Sequence, residues 1–175
     1  AKGNPWVIMV LFCLITAVLS AFLDNVTTVL LIGPVTFTVC KMLELSPVPF
    51  FIVEIMASNI GGTATLIGDP PNIMIGSAAN LTFMDFLVFN GPAIVVIMVV
   101  AIAIFYVMYG RNMGASAEQQ ASIMELHAHE AIKNKSLFNK SVVMIALVAV
   151  AFVCHSMVGV EPSVVALTAA AIMLL

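Results

Sequence analysis

The sequence predicts an all-α, polytopic membrane protein, and three observations carry that prediction. Hydrophobic residues fill 62% of 175 positions and charged residues only 9%, where a soluble domain runs at roughly 45–50% and about 25%. Two polar stretches interrupt apolar runs that are otherwise long enough to approach the thickness of a bilayer. The six Lys and Arg residues fall on one side of the membrane under a single layout of crossings. The mean hydropathy of +1.17 excludes a soluble globular domain, a disordered tail and a disulfide-stapled secreted module. A net charge of −3 leaves no basic face for nucleic acid.

The first apolar run, 6–23, is uncharged and ends at Asp24-Asn25-Val26-Thr27-Thr28. A second run, 29–43, contains Gly33-Pro34 and closes around Lys41 and Glu44. As helices these arms reach roughly 22–27 Å. Two layouts fit: a re-entrant hairpin with its polar tip near the midplane, or two short spans joined by a surface loop. Nothing resembles a signal peptide, because the first run leads to an aspartate and not to a small-residue cleavage site.

Ser46-Pro47 starts the next helix, expected over 48–58. A break over 59–72 follows: Asn59-Ile60-Gly61-Gly62-Thr63-Ala64-Thr65-Leu66-Ile67-Gly68-Asp69-Pro70-Pro71-Asn72. Its glycines and paired prolines oppose a regular helix, and apolar sequence resumes at Ile73. This is the pattern of a discontinuous transmembrane helix. Irregular backbone at that depth is tolerated where it lines a polar cavity or is buried in protein.

Residues 80–90 read as a mixed surface stretch, 92–109 as an uncharged span and 111–140 as a cytoplasmic linker with a helix over 117–133. Residues 141–160 read as another span, and Glu161-Pro162 precedes a last apolar run. The domain organisation is therefore 1–110, 111–140 and 141–175. Ala1 is not a Met and the last run has only begun at Leu175, so the chain is read as a piece of a longer protein. Lys2, Lys41, Arg111, Lys133, Lys135 and Lys140 share one side, which the positive-inside rule makes cytoplasmic. A plasma (inner) membrane location is expected.

Ionisable groups cost a few kcal/mol near the bilayer centre, about 2.5–3.5 on insertion scales. Asp24 and Asp69 therefore need a polar cavity, a counter-ion or a proton. Asn25, Thr27 and Thr28 flank the first; Asn59, Thr63, Thr65 and Asn72 flank the second, and such groups replace an ion's hydration shell. Each interruption also joins helix C-terminal carbonyls, which suit a cation, to helix N-terminal N–H groups, which suit an anion. Paired breaks of this kind point to a secondary transporter.

Other residues read more plainly. Cys13, Cys40 and Cys154 lie apart in apolar runs with no metal-ligand spacing. His127 and His129 sit two residues apart, a spacing that points imidazoles away from each other on a helix. The glycine-rich segment lacks the Gly-Lys-Ser/Thr ending of a phosphate loop. Glu54 is either a proton-linked acid or the partner of a residue elsewhere in the protein. No hydrolase constellation is visible in the spans, so no enzyme is expected. A non-transporting membrane subunit is the alternative of another class, but it has no need of two polar breaks.

The segments 20–28 and 59–72 together resemble the ArsB/NhaD permease group of the ion transporter superfamily, with its citrate-transporter-like domain, on the P-protein-like branch. That resemblance implies two inverted repeats, each with a re-entrant hairpin and a broken helix, working as a homodimer by alternating access. This chain then carries the first repeat and the start of the second, and the rest of the second repeat is a required partner. The implied ion- or substrate-binding residues are Asp24, Asn25, Thr27 and Thr28 at the tip, and Asn59, Gly61, Gly62, Thr63, Thr65, Gly68, Asp69, Pro70, Pro71 and Asn72 at the break. No organic cofactor is expected; Na⁺ or H⁺ is the expected coupling ion, with Na⁺ placed at Asp24, Asn25 and Asn59. A carboxylate repels a dianion and attracts Na⁺, so Asp24 favours Na⁺/H⁺-coupled transport over one alternative, an organic-anion (citrate-like) permease; the other, an arsenite permease, resembles an Asn-Asp order at the tip where this chain has Asp24-Asn25.

Overall fold

The structure is a computed structural model that describes residues 3–124 and 135–173. It is helical throughout, with no strand among the described residues. Residues 1–126 form one compact unit and 127–175 a second.

In the first unit, α1 (Pro5–Ser20) opens with Asn4, whose side-chain oxygen accepts from the backbone N–H groups of Trp6 and Val7 at 3.0 and 3.2 Å, satisfying donors the helix itself leaves free. Helix α1 turns back into α2 (Asn25–Met42), which is capped by Asp24. Pro34 lies inside α2, and the Thr38 hydroxyl donates to the Pro34 carbonyl at 2.8 Å. A corner with Glu44 in the left-handed region, at φ 53°, leads to α3 (Val48–Gly62). After the break come α4 (Pro70–Ala79) and α5 (Phe83–Met108). A single 3-10 turn, Gly110–Asn112, and α6 (Ala117–Met124) complete what is described of this unit.

Helices α1, α2 and α3 pack on one another. The buried residues of α3 include Phe50, Val53, Glu54, Ala57, Ser58 and Gly61, a spacing that builds one helix face. Against it α1 sets Met9, Cys13, Thr16, Ala17 and Ser20. The outward faces carry large exposed apolar side chains, among them Leu30, Val26 and Val18, as a lipid-facing surface does. Helix α5 runs antiparallel along α1: Asn90 donates to the Thr63 carbonyl at 3.2 Å, Met98 meets Cys13 sulfur to sulfur at 3.7 Å, and the Tyr106 ring meets Trp6 at 5.2 Å between centroids.

The second unit holds α7 (Lys135–Val158) and α8 (Pro162–Met173), packed on each other. Asn25–Met42, Phe83–Met108 and Lys135–Cys154 are each long and apolar enough to cross a membrane.

Several expected boundaries shift. At the tip, α1 ends at Ser20 and α2 takes in residues 25–28, so the turn is 21–24 and not 24–28. Helix α3 continues through Gly61 and Gly62 because those glycines serve close packing, Gly61 on α1 and Gly62 on Asn25 of α2 and the Gly68 carbonyl, not chain reversal. A Cβ at Gly61 would lie 2.1 Å from the Ala17 carbonyl oxygen. Pro70 and Pro71 start α4, since a first-turn proline lacks only an N–H that has no partner there. The break is thus 63–69, shorter than 59–72. The stretch 80–90 is largely helical: a capping box begins α5 at Phe83, with Thr82 and Asp85 satisfying each other's backbone N–H, and the helix runs on through Pro92. Helix α7 begins at Lys135 and not near Ser141, because nothing in its first residues opposes a helix. Of the linker helix expected over 117–133, only α6 falls among the described residues. Lys2, Lys133, His127 and His129 lie outside them.

Candidate functional site

The hairpin tip meets the end of α3, just before the break, through a pair of amides. Asn25, the first residue of α2, donates from Nδ2 to Oδ1 of Asn59 on α3 at 3.1 Å. Its own Oδ1 accepts from the Ser20 hydroxyl at the end of α1 at 2.7 Å. Asn59 in turn donates to the Ile55 carbonyl at 3.0 Å. Three helices are thereby joined at side-chain level, with the direction of each amide set by its other bond.

The backbone approaches closely at the same place. A Cβ at Gly62 would fall 2.4 Å from Asn25 Oδ1, and one at Gly68 would fall 2.4 Å from the Gly62 carbonyl and 2.7 Å from that of Ser20. The Thr65 hydroxyl donates to the Ala21 carbonyl at the tip and accepts from Gly68 N–H, the latter at 3.1 Å. Asn72 reaches back from α4 to the Thr65 carbonyl at 2.8 Å, with the Gly62 and Thr63 carbonyls at 3.4 and 3.5 Å. The break is a tight knot of backbone held by Thr65 and Asn72, both buried.

Asp24 plays a different role from the one expected of a free carboxylate. Its Oδ1 accepts from Thr27 N–H at 2.7 Å and its Oδ2 from the Thr27 hydroxyl, so both oxygens cap α2. It is exposed beside the Asn25–Asn59 pair. Asp69 occupies the N-cap position of α4 without a side-chain cap bond. Thr27, Thr63, Pro70 and Pro71 are exposed. Thr28 is fully buried inside the helix packing. Between Lys41 and Arg111, and before Lys41 as far as Lys2, the sequence has no Lys, Arg or His. The junction therefore carries acidic and amide groups, with the ends of α1 and α3 and the starts of α2 and α4 directed at it.

Two participants escaped the sequence reading as site residues. Ser20 orients Asn25, and its signal was its place as the last residue of α1, next to the polar tip. Asn90 satisfies the Thr63 carbonyl, and its signal was an amide beside Gly91-Pro92 in an apolar run, which reads equally well as a turn.

The model of the citrate transporter family matches residues 1–175. An uncharacterized transporter of Mycobacterium tuberculosis is 45% identical over 173 residues, which cover 99% of this chain and 40% of that protein. A 46 kDa membrane protein of Mycobacterium leprae is 43% identical over 174 residues, 99% of this chain and 41% of that protein. The human P protein is 47% identical over 107 residues, 60% of this chain and 13% of that protein. The chain thus spans about two fifths of the length of the mycobacterial relatives it matches. No solved structure matches it. A membrane protein by composition and by its apolar helices, the chain belongs to the citrate transporter family.

Proposed function

We propose that the chain supplies the first repeat of a secondary active ion transporter coupled to Na⁺ or H⁺, an antiporter of the ArsB/NhaD type working by alternating access. The observation that carries this reading is the Asn25–Asn59 bond, which joins the hairpin tip to the broken helix. Asn25, Asn59 and Asp24 are the groups offered to Na⁺. The remaining tip and break residues shape the pocket's wall: Thr27, Thr28, Gly61, Gly62, Thr63, Thr65, Gly68, Asp69, Pro70, Pro71 and Asn72. The corresponding half-site comes from the second repeat, in a homodimer. The basic loops face the cytoplasm across the inner membrane.

Depth supports the reading. Helix α5 has 26 residues, about 39 Å at the standard rise. Asn90, level with the break, stands roughly 10 Å from its start. With α5 across the bilayer, the break lies about a quarter of the way along that helix. At the opposite end, Lys41 closes α2 and Arg111 follows α5, as a cytoplasmic face requires.

An organic-anion (citrate-like) permease is the second reading, favoured by the description of the matching family and by the two helix N-termini at the junction. Flux in proteoliposomes of the full-length protein separates these readings. Sodium-driven proton movement without citrate or arsenite uptake is the expected outcome. Uptake of citrate or arsenite without cation exchange replaces it with the anion reading, and no flux of any of them favours a non-transporting subunit.

A further inference from the structure

Away from the tip, the three-helix interface of α1, α2 and α3 contains an unusual concentration of buried polar groups. Thr16 and Ser20 on α1, Thr28 and Thr36 on α2, and Glu54 and Ser58 on α3 are all at most 1% exposed. Along each helix they recur at multiples of four residues, so each set lies on one face. The Thr36 hydroxyl donates to Oε1 of Glu54, and the Ser58 hydroxyl is spent on the Ile55 carbonyl at 2.9 Å. Three atoms have no hydrogen-bond partner among the described residues: Glu54 Oε2, Thr16 Oγ1 and Thr28 Oγ1.

Buried polar atoms are nearly always paired, so three in one interface call for a function. Among the described residues of α1, α2 and α3, no basic group faces Glu54. Lys41 is the only basic residue on α1, α2 or α3 and is exposed at the end of α2. Cys13 on α1 and Cys40 on α2 are the titratable neighbours, both buried. Helix α5 sets Met98 against Cys13, and its own titratable residues, Asp85 and Tyr106, lie toward its two ends. An isolated carboxylate in such surroundings is far costlier than a carboxylic acid.

We infer that Glu54 is an exchangeable proton site, a carboxyl that carries the coupling proton on Oε2 while Thr36 holds Oε1. Thr16 and Thr28 line the polar seam that leads from Ser20 and the tip toward it. The proton is taken up by the carboxylate as Oε2–H and returned to solvent along the seam. Nothing else is consumed. The coupling role rests on the transporter reading above, whereas the protonated carboxyl itself does not.

The test combines infrared spectroscopy with flux on the full-length protein in lipid. Glu54→Gln keeps the shape and the acceptor for Thr36 and removes the proton. The expected result is a protonated-carboxyl carbonyl band at neutral pH that Glu54→Gln removes and Thr36→Val shifts. Loss of pH-gradient-driven flux in Glu54→Gln accompanies it. The Thr36→Val shift keeps the test decisive should Glu54→Gln fold poorly. A band that survives Glu54→Gln, a band indifferent to Thr36→Val, retained proton-driven flux, or loss of sodium-driven flux alone overturns the inference. A Glu54-dependent band in a wild-type protein without ion-driven flux upholds the proton site and discards the transporter reading instead.

Discussion

Asp24 shows how one side chain serves two ends. Its oxygens cap α2 through Thr27, and its charge stands beside an amide pair with no basic residue nearby among the described residues of its unit. The two roles separate by substitution. Asp24→Asn retains an acceptor and a good N-cap; Asp24→Ala removes both and costs about 1 kcal/mol of stability. Ion-coupled flux is expected to vanish in Asp24→Asn while thermal unfolding in detergent stays near wild type. Unchanged flux would reduce Asp24 to a cap. Gly61 is a stricter case. Its missing Cβ is what lets α3 reach the Ala17 carbonyl, so Gly61→Ala must push the two backbones apart, an overpacking cost of about 1–3 kcal/mol. A thermal midpoint equal to that of wild type would show that α1 and α3 yield more easily than their contact implies.

At the scale of elements, the sequence announced each interruption but misplaced its edges. The hairpin was legible because Asp24 and Asn25 break an apolar run and aspartate is a strong cap. The break at 63–69 was legible as a cluster of glycine and proline, but composition alone does not tell a glycine that ends a helix from one that lets a helix dock. Gly61 and Gly62 are of the docking kind, and the neighbours that make them so, Ala17 for Gly61 and Asn25 for Gly62, are distant in sequence. The same ambiguity hid the early start of α5, where Pro92 reads as a boundary yet lies inside the helix. The prolines of α4 and Asn72 are predicted to differ sharply. Pro70→Ala leaves a competent helix start and changes stability little. Asn72→Leu strips the Thr65 carbonyl of its donor and costs about 1–3 kcal/mol. Equal loss of thermal stability in the two variants would contradict this account of the break.

For the whole molecule, the one-sided basic residues remain the guide to topology, because α5 and α1 share a register but carry no membrane with them. A cysteine introduced near Asp85 is expected to react with an impermeant thiol reagent from outside, and one near Lys135 is not. Labelling of both from the same face would break the layout. Cys13 and Cys40 are buried, so they contribute little background. The site was only partly legible, for a physical reason: its polar residues stand out against an apolar chain, whereas their pairing depends on tertiary approach. Asn25 and Asn59 are each visible as polar residues, but only folding shows that they bond to one another. Glu54 was equally visible as an acid in an apolar run, whereas its burial between three helices emerges only on folding.

The glycine contacts also have a mechanical meaning. With Gly61 against Ala17, and Gly68 against both Gly62 and Ser20, backbone meets backbone at these points with no side chain between to absorb a shear. Packed backbone behaves as a stiff joint, and bistable motion is confined to softer boundaries. The tip, the end of α3 and the knot that follows should therefore travel as one block. Any hinge that moves them must be sought at their perimeter, at corners such as the one containing Glu44, while the junction itself keeps its shape.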